Sequence, residues 1–119
     1  MAEAPILVVD DDESIRQTVS EILEVEGYRV AAAANGEEAL ARVEQSKPAL
    51  VLLDMRMPVL DGWGFARVLR ERGIRLPILV MTAAQNARSW AEEIGADGYV
   101  AKPFDLDELL SKVERLRLN

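Results

Sequence analysis

The chain has 119 residues, 50% of them apolar and 29% charged, the composition of one globular domain able to bury a core. Its net charge of −7 argues against a nucleic-acid or anionic-membrane surface, and neither a membrane span nor a signal peptide can be read in it. Cysteine and histidine are both absent, which removes disulfides, thiolate and imidazole metal sites, His-based triads and an imidazole phosphocarrier. Any chemistry here falls to carboxylates, hydroxyls and lysine, or to a group brought by a partner.

The first apolar run, Ile6-Leu7-Val8-Val9, leads straight into Asp10-Asp11-Asp12 and predicts a strand near 5–10. Ile15, Val19, Ile22 and Leu23 then recur at helical spacing, an amphipathic helix ending at Gly27 with Asp12 as its cap. A second strand is expected near 28–33, after which Asn35 and Glu38 form a capping pair for a helix carrying Leu40 and Val43. Leu50-Val51-Leu52-Leu53 predicts a strand near 49–54 that ends in Asp54. Phe65, Val68 and Leu69 mark a third helix from Gly62 to about Arg72, closed by Gly73. A strand near 76–82 ends at Thr82, and a helix near 86–94 follows on the thin stripe of Trp90 and Ile94. A last strand near 97–101 runs into Lys102. Asp105 and Glu108 then cap a helix in which Leu106, Leu109, Leu110, Val113 and Leu116 keep the helical period.

Five such units joined by short connections define a doubly wound α/β domain, a parallel sheet with helices on both faces. Parallel strands deliver their last residues to one edge, where open α/β sheets bind ligands. Asp10, Asp11, Asp54, Thr82 and Lys102 are therefore expected to converge. Carboxylates gathered at one place repel each other unless a cation joins them. Mg²⁺ takes oxygen ligands and is commonly held by one or two carboxylates together with a phosphate, which suits Asp10, Asp11 and Asp54. The competing reading, a helix cap whose acids complement the helix dipole, accounts for Asp12. Asp54 is the candidate nucleophile, since a carboxylate can form an acyl phosphate when its charge is offset. Lys102 would supply a second positive charge and Thr82 a hydroxyl donor.

Asp10-Asp11, the run Leu52-Leu53-Asp54-Met55-Arg56-Met57-Pro58 with Asp61-Gly62 following, Met81-Thr82-Ala83, and the run from Gly95 through Lys102-Pro103-Phe104 form an ordered set. Over essentially the whole chain this set resembles the receiver domain of bacterial two-component response regulators. The resemblance implies one receiver domain over residues 1–119, with a flavodoxin-like (βα)5 three-layer sandwich and strand order 2-1-3-4-5. It implies that Asp54 accepts a phosphoryl group from the phosphohistidine of a sensor histidine kinase or phosphotransfer protein. Mg²⁺ would be held by Asp10, Asp11, Asp54 and the backbone carbonyl of Arg56. Lys102 and Ala83 would contact the phosphoryl group, and Lys102–Pro103 would be cis. Thr82 and Tyr99 match the family's switch pair, which remodels the face made by the fourth helix, fifth strand and fifth helix. Such a domain catalyses only its own phosphorylation and dephosphorylation. It is expected in the cytoplasm, with an output partner or a missing effector domain, no nucleic acid or membrane of its own, and a monomeric or weakly dimeric state through that same face.

Several positions admit two readings. Tyr99 is a switch residue or simply an aromatic closing the core edge. Arg56 contacts the phosphoryl group or lies in solvent, while Ala84 offers no polar group to position a hydrolytic water. Trp90 is a partner anchor on the output face or a core filler; Trp63 is structural. A chain that closes after its fifth helix reads equally as a stand-alone receiver or as a piece of a larger regulator. A flavodoxin is disfavoured because its first βα turn must offer N–H groups to phosphate, and here that turn is Asp-Asp-Asp-Glu. A haloacid-dehalogenase-type phosphatase would need an acid where Arg56 stands. A phosphorylation-independent, receiver-like binding module is the remaining alternative.

Overall fold

The β-strands owe their buried positions to apolar residues at nearly every place, as strands covered on both sides require. In the computed structural model, which describes residues 4–117, they are β1 (Ile6–Val9), β2 (Val30–Ala33), β3 (Leu50–Asp54), β4 (Ile78–Ala83) and β5 (Gly98–Lys102). All pair in parallel in the order β2-β1-β3-β4-β5, the expected flavodoxin-like arrangement. The helices between and after them are α1 (Glu13–Val25), α2 (Gly36–Gln45), α3 (Gly62–Glu71), α4 (Ala84–Ile94) and α5 (Leu106–Arg117). No described helix is long and apolar enough to cross a membrane.

Strand alternation sorts the core into two layers. Leu7, Val9, Val51, Leu53, Ile78 and Val80 pack toward α2, α3 and α4, where they meet Val43, Phe65 and Ile94. Ile6, Val8, Leu50, Leu52, Leu79, Met81 and Val100 pack toward α1 and α5, against Val19, Leu23, Leu109 and Val113. Following the same alternation to the carboxyl edge puts Asp10, Asp54 and Lys102 in phase with the α1/α5 layer. Thr82 and Tyr99 fall in phase with the α2–α4 layer.

Side-chain caps start most of the helices. Asp12 accepts from the N–H groups of Ser14 and Ile15, Asn35 from Glu38, Asp61 from Gly64 and Asp105 from Glu108. The fourth helix departs from expectation: it begins at Ala84 rather than near 86, and Ala83 at its cap position offers no side-chain hydrogen bond. A helix entered without a capping residue gives no sequence signal for its start. Leu106 also differs. It keeps the helical period yet is exposed, at the first position of α5.

Candidate functional site

Among the described residues, the buried polar or charged side chains are Asp10, Asp54 and Thr82, and all three lie at the carboxyl edge of the sheet. Asp10 follows β1 and is fully buried. Its Oδ1 accepts the Asp12 N–H at 2.9 Å and its carbonyl accepts from Arg16 Nη1 at 2.8 Å, so both chain and carboxylate are fixed. Lys102, the last residue of β5, donates to Asp10 Oδ2 at 2.8 Å, and its Nζ stands 3.7 Å from Asp54 Oδ1. Asp11 is exposed at the rim. One oxygen from each of Asp10, Asp11 and Asp54 lies within 4.8 Å of the others, a hard-oxygen set of the kind a divalent cation takes. The Lys102–Pro103 bond is cis, as the resemblance implied.

Asp54 carries the perturbed charge of the site. Burial raises its carboxyl most and the Asp10 carboxylate pushes the same way, with a smaller push from Asp11. Lys102 and a backbone hydrogen bond from Arg56 oppose them, and the balance lies at about 6 against an ordinary 3.8. An acid so placed is ionised at neutral pH at a cost that a cation would relieve.

The remaining expected residues separate into two groups. Thr82 is buried, and Ala83 beside it is exposed and paired in register with Lys102, bordering the acidic cluster. Tyr99 sits three residues before Lys102 on β5, on the same sheet face as Thr82, half-buried against the α2–α4 layer. Lys112 of α5 places its ammonium 4.9 Å from the Tyr99 ring centroid and donates to the Tyr99 carbonyl. The Arg56 side chain does not enter the acidic cluster. Its guanidinium lies 5.1 Å over the ring of Trp90, which meets Trp63 edge-on at 4.9 Å. Trp63 Nε1 in turn donates to Glu93 Oε1 at 2.8 Å. Trp90 is thus half-buried on the side of α4 that faces α3, neither an exposed anchor on the α4–β5–α5 face nor a fully enclosed core residue.

Gly62, expected as the start of the third helix and as part of the Asp61-Gly62 pair of the motif set, also shapes the site. A Cβ there would stand 2.6 Å from Met55 Sδ, 2.8 Å from Met55 Cα and 3.1 Å from the Asp54 carbonyl. Its N–H donates to the Met55 carbonyl, so the first turn of α3 is pressed onto the end of β3 and holds the Asp54 segment in place. The available signal was Asp61-Gly62 itself, a cap followed by the one residue without a Cβ.

A parallel five-stranded sheet of this order, with an acid cluster and a lysine at its carboxyl edge, defines a two-component receiver. Residues 6–114 match the response regulator receiver domain family, and the chain belongs to it. Among its relatives are the response regulators MprA of Mycolicibacterium vanbaalenii, 44% identical over 113 residues, and of Mycobacterium leprae, 43% identical. The match covers 93% of this chain but 49% and 50% of theirs, so the chain spans about half the length of the curated relatives it matches. Among solved structures it is similar to chemotaxis protein CheY4 of Vibrio cholerae (36% identity, TM-score 0.84, covering 97% of this chain and 99% of that one). It is also similar to TrrA of Thermotoga maritima in complex with Mg²⁺ and BeF (40%, 0.84, covering 98% and 99%). The receiver domain of NtrX from Brucella abortus is a third such structure (34%, 0.87, covering 96% and 98%).

Proposed function

We propose that this receiver is a Mg²⁺-dependent phosphoacceptor switch of a cytoplasmic phosphorelay, modified on Asp54. The observation that carries the reading is the convergence of a buried, proton-avid Asp54 with Asp10, Asp11 and the Lys102 ammonium. With no histidine in the chain, the donor is the phosphorylated imidazole of a sensor histidine kinase or phosphotransfer protein. Asp54 attacks the phosphorus; a P–O bond forms as the P–N bond breaks, and the leaving imidazole nitrogen takes a proton from solvent. Asp10, Asp11, Asp54 and the Arg56 carbonyl would hold Mg²⁺, whose charge offsets that of the carboxylates and phosphoryl oxygens when it is bound. Lys102 pairs with a phosphoryl oxygen, and the small Ala83 leaves room for that group.

The Thr82 hydroxyl donates to another phosphoryl oxygen, and the Tyr99 ring on the same sheet face follows into the space it vacates. The result is a changed surface on α4, β5 and α5, which an output partner or effector domain reads and through which two copies pair weakly. Later hydrolysis of the acyl phosphate resets the switch. The test is intact mass after incubation with a small-molecule phosphodonor. One phosphoryl group should be added to the wild-type chain only with Mg²⁺, and none to Asp54→Ala. A folded, Mg²⁺-binding chain that takes up no phosphoryl group would instead be a binding module independent of phosphorylation.

A further inference from the structure

The backbone and side chain of Arg56 are held by two different parts of the molecule. Its backbone hydrogen-bonds the carboxylate of Asp54, a member of the acidic cluster. Its side chain, exposed in the β3–α3 loop, lies over Trp90 of α4 at 5.1 Å. Trp90 is itself braced by Trp63 at 4.9 Å with the rings at 67°, and Trp63 is tied back to α4 through Glu93. A guanidinium over an indole face is the strongest of the ordinary cation–π pairings and is weak enough at an exposed site to be exchanged. An anionic phosphoryl group on Asp54 would be a competing partner for this cation, since the backbone of Arg56 already touches that carboxylate.

We propose that Trp90 competes with the phosphorylated site for the Arg56 guanidinium, making the Arg56–Trp90 stack a link between Asp54 and α4 separate from Thr82 and Tyr99. The inference rests on the phosphoacceptor reading. In the unmodified chain the stack holds the guanidinium away from the acidic cluster. A phosphoryl group draws it off the indole, and α4 loses a tie to the β3–α3 loop. The coupling is reciprocal: whatever strengthens the stack weakens the site's hold on an anion by the same factor. Trp90 is in this sense a positioning residue, acting on the site through Arg56.

The test is a four-protein cycle, wild type, Arg56→Met, Trp90→Leu and the double variant, titrated with beryllium fluoride at saturating Mg²⁺ in a calorimeter. With Arg56 present, Trp90→Leu should tighten beryllium fluoride binding about two- to fivefold, the range an exposed cation–π contact commands. With Met at position 56, the same change at Trp90 should leave the affinity unaltered. Trp90→Phe, which preserves the packing, should fall between wild type and Trp90→Leu and serves where the leucine variant unfolds. Equal factors in both backgrounds, or weaker binding with Arg56 present, would overturn the link while leaving the phosphoacceptor reading intact. A wild-type chain that takes neither beryllium fluoride nor a phosphoryl group on Asp54 would overturn both together.

Discussion

The two edges of the sheet use glycine and charge in opposite ways. At the amino edge the chain turns from helix into strand at Gly27, Gly73 and Gly95, all at positive φ, with open space where a Cβ would be. At the carboxyl edge, Gly36, Gly62 and Gly64 are there because a Cβ would collide with Leu60 or Met55. The buried acids and threonine of the described residues belong to that same edge. One edge is built for chain reversal at little packing consequence. The other is pressed tight around charges that repel one another, so stability and function are in conflict there and not at its opposite.

The largest expected effect breaks the contrast outright. Gly62→Ala forces a Cβ against the Met55 backbone, which cannot swing aside as a side-chain tip does, and should destabilise the fold by about 2–4 kcal/mol. Gly95→Ala, which meets only the cost of a left-handed conformation, should lose about 1 kcal/mol. Urea denaturation of the two variants measures the difference, and equal losses would remove the distinction between the edges. Phosphoryl uptake by the folded fraction should fall in the first variant and persist in the second.

Charge at the carboxyl edge sharpens the comparison in both directions. Lys102→Met strands the fully buried Asp10 carboxylate and should cost about 2 kcal/mol without Mg²⁺, less than a fully buried pair because the ammonium keeps some solvent. Saturating Mg²⁺ should restore most of that loss in thermal unfolding. Asp54→Asn should do the reverse and stabilise the metal-free chain by about 2 kcal/mol near pH 7.5. The sign follows from the raised carboxyl, about 6 when folded against 3.8. Between those values the folded chain binds a proton that the unfolded chain does not, so wild-type stability falls as pH rises through the window and is level above it. The gain from asparagine should therefore be full above pH 6 and gone below pH 4, and a gain that persisted at pH 3.5 would refute the cause assigned to it.

Much of this edge was legible in the sequence because apolar runs end abruptly in charge. All five strands were expected within two residues of their observed limits, and Asp10, Asp54 and Lys102 meet as parallel strands require. The in-phase placement of those three on one sheet alternation follows from counting residues along each strand. What could not be read were contacts between residues distant in the chain with no periodic signature. Arg56 of the β3–α3 loop finds Trp90 of α4, and Trp63 of α3 finds Glu93 of α4, where the rotation of α4 decides which side chains meet. Lys112 over Tyr99 is of the same kind. The start of α4 was hidden for the opposite reason, a boundary with no capping residue to announce it.

Val59 is the exception to the division between edges. In the β3–α3 loop, on the carboxyl side, it is the non-glycine residue with positive φ among the described residues, at 70°, and it is 73% exposed. A β-branched residue in the left-handed region costs about 1–2 kcal/mol, because its Cβ crowds the neighbouring carbonyl. Glycine removes that crowding but adds freedom to the unfolded chain worth about 0.5–1 kcal/mol. Val59→Gly should therefore gain only about 0.5 kcal/mol in urea denaturation, the smallest change in this series, while Val59→Asn, which tolerates the conformation without the added freedom, should gain slightly more. A loss in both variants would mean that the exposed valine makes a stabilising contact in the loop. A gain in both would mark a strained backbone five residues from Asp54, at the edge where strain is tolerated for the sake of the site.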